Sequence, residues 1–264
     1  MANLLKYILL KTGLFYRLKY SSLLKGPFQI FYPGIKKQLM KEQEFYRSFL
    51  SPCTLIFDIG ANDGHKTAAF AAMAKKVIAC EPDTHNLAIL KGRFRKKPNI
   101  VIEPFAITDH QGTEQLYIHQ PGSALNTVNP QWVEILETSN KGRWKSDIRF
   151  TGRSVTVNTI TLDDLIVKHG IPDLIKIDVE GNEKKVLAGL SHPVNFISFE
   201  VLLPEFLSDA IACMERVMQL NSGTLFNYAI DEKLALPQFI PYNDFKRLLK
   251  ELPVPHLEII ASAK

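Results

Sequence analysis

Glycines and carboxylates at the ends of two apolar segments are the residues of this chain best suited to chemistry. Residues 55–64 read LIFDIGANDG, which predicts a buried strand running into a glycine turn, and the apolar stretch 77–80 ends at an acid, Glu81. A glycine turn at one strand tip, with an acid at the tip of the next, is how open α/β folds hold an adenosine-bearing cofactor. The candidate cofactor-binding residues are Asp58, Gly60, Asn62, Gly64, Glu81 and Pro82.

The spacing of the glycines separates two classes of cofactor. A dinucleotide site uses G-x-G-x-x-G, whose glycines let backbone amides approach a pyrophosphate. Here Asn62 stands where the middle glycine belongs, between Gly60 and Gly64. S-adenosylmethionine (SAM) has no phosphate, its ammonium end suits Asp58, and a Glu81 carboxylate can accept from both ribose hydroxyls. The turn therefore favours SAM; the alternative is a plain strand–turn–helix with a solvated acid.

A second charged segment supplies candidate catalytic residues. Residues 173–181 read DLIKIDVEG and predict another buried strand. Side chains alternate along a strand, so Lys176, Asp178 and Glu180 share one side if the strand stays regular, and the carboxyl end of a parallel strand faces the ligand crevice. Charges inside an apolar strand are costly without a reason, which favours a functional role. The alternative is an internal Lys–Asp/Glu ion pair that only fixes the strand end.

Together the two segments resemble the FkbM-type family of SAM-dependent methyltransferases. The matching motifs are FDIGANDG at 57–64, CEP at 80–82, TLDDL at 161–165 and IKIDVEGNE at 175–183. The resemblance implies an α/β fold of the class I methyltransferase type. That fold is a Rossmann-like, seven-stranded sheet with helices on both faces and an antiparallel last strand. It also implies SAM as methyl donor and, often, O-methylation of a hydroxyl on a sugar, glycan or related small molecule.

The resemblance also assigns roles by position. It places Asp58, Gly60 and Gly64 in the SAM loop and Glu81 at the ribose. It places Asp178 and Glu180 beside the methyl-transfer centre. From the order of the segments, Ala106 in the stretch 105–107 is expected to border the adenine.

Composition narrows the class of protein and the binding partners that it could have. The 264 residues suit one methyltransferase-type domain, residues 51–264, behind an N-terminal helical extension, residues 1–50. Three scattered cysteines without C-x-x-C predict reduced thiols in a cytoplasmic protein. The net charge of +5 favours anionic partners only weakly. Nucleic acid is disfavoured as a substrate for two reasons. The amino-methyltransferase signature, which contains adjacent prolines, is absent, since the sequence has no Pro-Pro pair, and the basic residues are spread out.

The N-terminal residues 1–25 mix leucines with lysines. No uncharged apolar run approaches the ~18 residues that a membrane span needs. A basic amphipathic helix could lie on an anionic membrane surface, giving peripheral contact. The alternative is a helix packed on the domain or on a second subunit of a homo-oligomer.

Residues 120–153 form a long connection that suits a lid over the acceptor. They contain both tryptophans, Trp132 and Trp144, and five bases. The alternative is a solvated loop with its tryptophans in the core. The seven histidines show no ligand spacing, so no metal is compelled, although Asp178 with Glu180 or Glu200 could form an Mg²⁺ site.

These observations favour a SAM-dependent O-methyltransferase that acts on a small-molecule or glycan hydroxyl. A carboxylate base within hydrogen-bond reach would help remove the proton of the hydroxyl. Two alternatives come from other classes. One is an NAD(P)-dependent oxidoreductase, disfavoured by Asn62 in the turn, and the other is a non-catalytic, membrane-associated scaffold with the same fold.

Overall fold

A mixed eight-stranded sheet forms the centre of the fold. The computed structural model describes residues 34–50, 52–138 and 148–263. The described helices are α1 (Gly34–Arg47), α2 (His65–Phe70), α3 (Thr84–Phe94), α4 (Pro130–Thr138), α5 (Leu162–His169), α6 (Glu183–Ala188), α7 (Leu207–Leu220) and α8 (Tyr242–Glu251). The described strands are β1 (Cys53–Ile59), β2 (Ala74–Cys80), β3 (Ile100–Glu103), β4 (Ala106–Ile107), β5 (Gly112–Ile118), β6 (Arg153–Ile160), β7 (Leu174–Ile177), β8 (Phe196–Leu202), β9 (Leu225–Ala229), β10 (Ile240–Pro241) and β11 (His256–Ser262).

The strand order of the large sheet is β10-β9-β11-β8-β7-β1-β2-β3. Strands β3, β2, β1, β7 and β8 pair in parallel, whereas β11 runs antiparallel to both of its neighbours, β8 and β9. The antiparallel last strand is as expected. The expected count was seven strands; the eighth is the two-residue β10, which pairs with β9 at the edge of the sheet. An edge tolerates Pro241 because its missing N–H breaks no inner ladder.

Helices cover both faces of this sheet, which confirms the predicted fold class. Alternating strand residues explain why. Ile56 and Val77 belong to the apolar cluster that also contains residues of α1 and α2, whereas Phe57 and Ile78 belong to the cluster that contains residues of α5 to α8. Side chains that alternate along a strand bury both faces when both are covered. The strand ends therefore lie between two helical layers, where a cleft can form.

The TLDDL motif marks the start of α5. The Thr161 side chain accepts from the Asp164 N–H, and the Asp164 carboxylate accepts from the Thr161 N–H, at 3.1 and 2.8 Å. This reciprocal capping box satisfies backbone donors that have no partner inside the helix. Leu162 and Leu165 are fully buried. The motif therefore serves the fold.

A small second sheet, ordered β4-β6-β5, lies between β3 and β7 along the chain. Strand β5 pairs antiparallel with β6, and β4 pairs parallel with it.

The three cysteines, Cys53, Cys80 and Cys213, are buried and form no disulfide. Among the described residues, no helix is long and apolar enough to span a membrane. The amphipathic helix predicted in residues 1–25 lies outside the described residues.

Helix α1 packs tightly on the large sheet. Tyr46 is fully buried, its ring meets that of Phe70 edge-on at 4.8 Å, and its hydroxyl donates to Glu258 Oε1 at 2.9 Å. Phe45 and Leu50 are buried in the same cluster. The domain boundary at residue 51 stays a prediction, and α1 contributes core residues on its N-terminal side.

If α1 is part of the folded core, Tyr46→Ala will lower the free energy of unfolding by about 3–5 kcal/mol, because an aromatic core side chain leaves a cavity. The matched control is Met40→Ala on the same helix, where Met40 is 50% exposed. Urea unfolding followed by circular dichroism measures both. Equal, small effects in the two variants would contradict the packing.

Candidate functional site

The glycine turn after β1 is pressed against the chain after β7. Gly60 has a φ of 80°, and a Cβ there would lie 1.8 Å from the Asp178 carbonyl oxygen. Only glycine fits such a left-handed, crowded position. The N–H groups of Gly60 and Ala61 both donate to the Cys80 carbonyl, at 3.0 and 2.9 Å. The turns that follow β1, β2 and β7 therefore meet at one point.

Glu81 is held at the tip of β2 by backbone amides. Its Oε2 accepts from the Asn62 N–H and its Oε1 from the Asp83 N–H, both at 2.8 Å. Burial raises the pKa of Glu81 to about 7, and the two amides partly offset that rise. Each carboxylate oxygen has a second lone pair. The carboxylate can therefore still accept from a diol in the cleft beside it.

A cleft of about 650 Å³ opens at these strand ends. We call it the cofactor cleft. Five of the predicted cofactor-binding residues line it, and both candidate carboxylates of the β7 segment join them. The predicted residues in its wall are Gly60, Asn62, Glu81, Pro82, Ala106, Asp178 and Glu180.

Two predicted cofactor ligands lie behind this wall. Asp58 is 2% exposed and accepts from the Thr67 hydroxyl at 2.5 Å. Burial raises the pKa of Asp58 to about 6, against the opposing effects of Thr67 and Lys176. Gly64 precedes α2 with a φ of 79° and packs against Leu90 and Phe94. Both residues shape the turn, and their direct contact with a cofactor stays a prediction.

Lys176 is a buried ammonium in the centre of the sheet. It has no exposed side-chain surface, and its Nζ lies 3.1 Å from Asp178 Oδ2 and 3.4 Å from Glu200 Oε1. Burial alone would lower the pKa of Lys176, but the two carboxylates outweigh it and raise that pKa. Lys176 therefore stays charged and is not free to accept a proton. The ion pair proposed as the alternative for this strand is present.

Glu200 is the most strongly paired acid of the site. Its Oε1 accepts from Lys66 at 2.8 Å, and its Oε2 lies 2.9 Å from His256 Nε2. Burial would raise its pKa, but Lys176 and Lys66 hold the pKa of Glu200 well below its usual range. Asp178 is less paired: burial and Glu200 raise its pKa against the two lysines. Glu200 is thus the ionised counterpart of the lysines.

Glu180 does not continue the strand alternation. Strand β7 ends at Ile177, and Glu180 has a φ of 57°, in the left-handed region. The expected common face of Lys176, Asp178 and Glu180 is therefore wrong beyond the strand end, although Lys176 and Asp178 do meet. No hydrogen bond or ion pair holds the Glu180 carboxyl within the described part of the chain. Burial, with repulsion from Asp178, Glu200 and Glu183, raises the pKa of Glu180 well above its usual range.

A second cleft, of about 880 Å³, lies on the other side of these carboxylates. Asp178 and Glu180 stand in its wall as well as in that of the cofactor cleft. Trp132 and Phe206 form an aromatic part of the wall, with ring centroids 5.3 Å apart. Its other polar lining residues are Glu183, Glu200, Asp209 and His256.

Residues 120–153 lie partly within the described residues. Trp132 lies in α4, is only 7% exposed and packs in an apolar cluster, yet it also lines the second cleft. The role of these residues as a lid over the acceptor stays a prediction. Trp144 and three of the five bases, Lys141, Arg143 and Lys145, lie outside the described residues.

Sequence reasoning missed several residues of the site. Asn86, one turn into α3, contacts the Glu81 carboxylate and lines the cofactor cleft, and its amide oxygen is buried with no described partner. Its place on a helix that starts beside Glu81 was an available signal. Asn126 and Thr127 also line the cofactor cleft, and His256 lines the second. Nothing local in the sequence marks these three, since only the fold brings them to the strand ends.

No group of three or more His, Cys, Asp or Glu side chains within the described ranges is arranged to hold a metal ion. The hypothesis of an Mg²⁺ site at Asp178 with Glu180 or Glu200 therefore gains no support. Asp178 and Glu200 are both paired with Lys66 and Lys176.

Comparison with known proteins places the chain in a family. The model of the methyltransferase FkbM domain matches residues 58–228, which include the glycine turn, Glu81, the Lys176–Glu180 segment and Glu200. The chain belongs to the FkbM methyltransferase domain family. A curated relative is the 31-O-demethyl-FK506 methyltransferase FkbM of Streptomyces tacrolimicus, 28% identical over 159 residues. That match covers 53% of this chain and 61% of the relative.

The solved structures that the chain matches are more distant in sequence than the curated relative. A methyltransferase FkbM from Methylobacillus flagellatus KT is 13% identical with a TM-score of 0.48; the match covers 79% of this chain and 43% of that one. A precorrin-6y C5,15-methyltransferase from Geobacter metallireducens GS-15 is 13% identical with a TM-score of 0.40, over 87% and 88% of the two chains. The chain thus spans less than two thirds of the curated relative and of the FkbM structure.

The carboxylate of Glu81 can be tested apart from the chemistry. If it accepts from the ribose, Glu81→Gln will weaken SAM and S-adenosylhomocysteine (SAH) alike, by about 1.5–3 kcal/mol for a charge-assisted bond. Isothermal titration calorimetry measures both affinities. The matched control is Glu103→Gln, a buried acid at the tip of neighbouring β3 that pairs with Lys168 and His169. Equal losses of SAM and SAH affinity in both variants would show that Glu81 has no specific role in binding the cofactor.

Proposed function

We propose that this chain is a SAM-dependent methyltransferase that methylates a hydroxyl of a sugar, glycan or related small molecule. Membership of the FkbM domain family supports the methyl transfer, and the name of the Streptomyces relative describes transfer to an oxygen. The observation that carries the proposal is the position of Glu180. Its carboxyl, which has no hydrogen bond or ion pair among the described residues, stands in the wall of both clefts, where a donor in one can meet an acceptor in the other.

SAM held beside Gly60, Asn62 and Glu81 would supply an activated methyl group, which would pass to the acceptor oxygen and leave SAH as the product. The hydroxyl proton passes to a carboxylate, for which Glu180 is the candidate because Asp178 and Glu200 are engaged by lysines. A raised pKa makes Glu180 a stronger base than an ordinary glutamate, and both clefts align the reacting atoms.

The second cleft supports a hydroxyl-rich acceptor. Carboxylates can accept from sugar hydroxyls, and the faces of Trp132 and Phe206 can pack on a ring. The oxidoreductase and scaffold alternatives receive no support from the family. Exclusion of nucleic acid, peripheral membrane contact through residues 1–25, a homo-oligomer and a cytoplasmic location remain predictions.

Transfer of a radiolabelled methyl group tests the proposal. The chain is incubated with methyl-labelled SAM and with separate glycolipid, free-sugar and nucleic-acid fractions of its source organism. We expect label in a glycolipid or sugar fraction, in a product that resists mild base, as a methyl ether does and a methyl ester does not. Label confined to nucleic acid, to base-labile esters or to amines would overturn the proposal.

The two candidate carboxylates give separate predictions once a labelled product is in hand. Glu180→Gln should leave SAM affinity near that of the unmodified chain and lower turnover by about 10²–10⁴-fold, because the base is lost. Turnover of the unmodified chain should rise with pH as Glu180 loses its proton, and this rise should vanish in the variant. Asp178→Asn serves as the comparison, since it removes a partner of Lys176. Full turnover in Glu180→Gln would show that a group other than Glu180 acts as the base.

A further inference from the structure

Residues 120–129, which we call the bridging segment, form part of the wall of the cofactor cleft and are anchored at both ends. At the first end, Asp83 Oδ2 accepts from the Gly122 N–H at 3.1 Å and from Asn126 Nδ2 at 2.8 Å. Asp83 is buried, and its own N–H donates to Glu81. This end is therefore fixed on a residue that itself donates a hydrogen bond to the candidate ribose acid.

The second anchor lies on the turn that carries Glu180. The Thr127 hydroxyl donates to the Glu180 carbonyl at 2.8 Å, and Asn129 Nδ2 donates to the Gly181 carbonyl at 2.5 Å. Thr127 is only 2% exposed and pairs with Tyr117 through backbone hydrogen bonds in both directions. The two donors thus come from a segment that strand β5 holds in place.

The turn at Glu180 needs such support. A non-glycine residue with a φ of 57° occupies a sparsely populated region, which persists only when its surroundings over-determine it. The Glu180 carboxyl has no described partner that could fix it, so its position depends on its backbone. Gly181 has a φ of 88°, and a Cβ there would lie 2.9 Å from the Trp132 ring, so the turn is also confined on its far side.

We propose that Thr127 and Asn129 are positioning residues that hold the Glu180 turn in its left-handed conformation, so that its carboxyl stands between the two clefts. The proposal rests on the proposed function, in which Glu180 receives the acceptor proton. Thr127 and Asn129 act through the Glu180 and Gly181 carbonyls and take no part in the proton transfer.

Proton release on SAM binding reports the position of the Glu180 carboxyl without an acceptor. Asp178, Glu200 and Glu183 favour its protonated form, and Lys176 opposes it. Lys66 and His256 face the neighbouring carboxylates of Asp178 and Glu200. The positive charge of a sulfonium in the cofactor cleft would stabilise the Glu180 carboxylate, so SAM binding would release protons from Glu180. Calorimetric titration with SAM in two buffers of different ionisation enthalpy counts the protons. The difference in the number of protons released between the unmodified chain and Glu180→Gln is the contribution of Glu180.

Thr127→Val keeps the shape of the side chain and removes the hydroxyl, which donates to the Glu180 carbonyl and accepts from the Asn129 N–H. We expect its proton release to fall to that of Glu180→Gln, while Thr127→Ser, which keeps the hydroxyl, restores the release of the unmodified chain. Titration with SAH in each variant separates a change in proton release from a change in cofactor affinity. The matched control is Thr151→Val, because Thr151 makes the same type of bond to the Ile118 carbonyl, at 2.6 Å, away from the turn. It should release protons as the unmodified chain does.

The possible failures are distinguishable. Unchanged proton release in Thr127→Val overturns the positioning role while the proposed function stands. Equal release in Glu180→Gln and the unmodified chain places Glu180 away from the sulfonium and overturns the inference, although SAM binding stands. Failure of the unmodified chain to bind SAM overturns both. If Thr127→Val does not fold, Asn129→Ala is read by the same criteria.

Discussion

The buried ammonium of Lys176 is the constraint on which the site depends. A charge with no exposed surface, in the middle strand of a sheet, is stable only if carboxylates neutralise it. Asp178 does so from just after β7 and Glu200 from within β8, and Lys66 adds a second cation from α2. This network commits two of the carboxylates at the strand ends to charge pairing. Glu180 is left outside it.

Because Glu180 lies outside this network, its protonation state differs from that of Glu200. Glu200 is kept ionised by its cations, whereas burial and like charges favour the proton on Glu180. A carboxyl that is not neutralised by a lysine can take up and give back a proton with less electrostatic cost than one that is. The sheet topology places this group between two clefts, and the approach of Gly60 to the Asp178 carbonyl keeps both turns together.

Much of this arrangement could be read from the sequence. Gly60 and Glu81 were predictable because each follows an apolar strand at a fixed spacing, and parallel strands end at the same edge. The pairing of Lys176 with Asp178 followed from strand alternation and stood as one of two readings. The turn at Glu180 could not be predicted from strand alternation, because the end of β7 at Ile177 is set by pairing with β1 and β8.

Other parts depend on contacts between distant residues. Asp58 was expected at the ammonium of the cofactor, yet the hydrogen bond from Thr67 holds it behind the cleft wall. The bridging segment has no regular pattern, and its bonds to Asp83 and Glu180 span about 40 to 50 positions of the chain. The eighth strand arises from two edge residues that carry no strand signal.

A crystal structure of the chain with SAH tests the central claim most directly. The account predicts ribose hydroxyls on the Glu81 carboxylate and the sulfur at the opening between the two clefts, beside Asp178 and Glu180. An SAH molecule whose sulfur points away from that opening, or whose ribose lies far from Glu81, would contradict it.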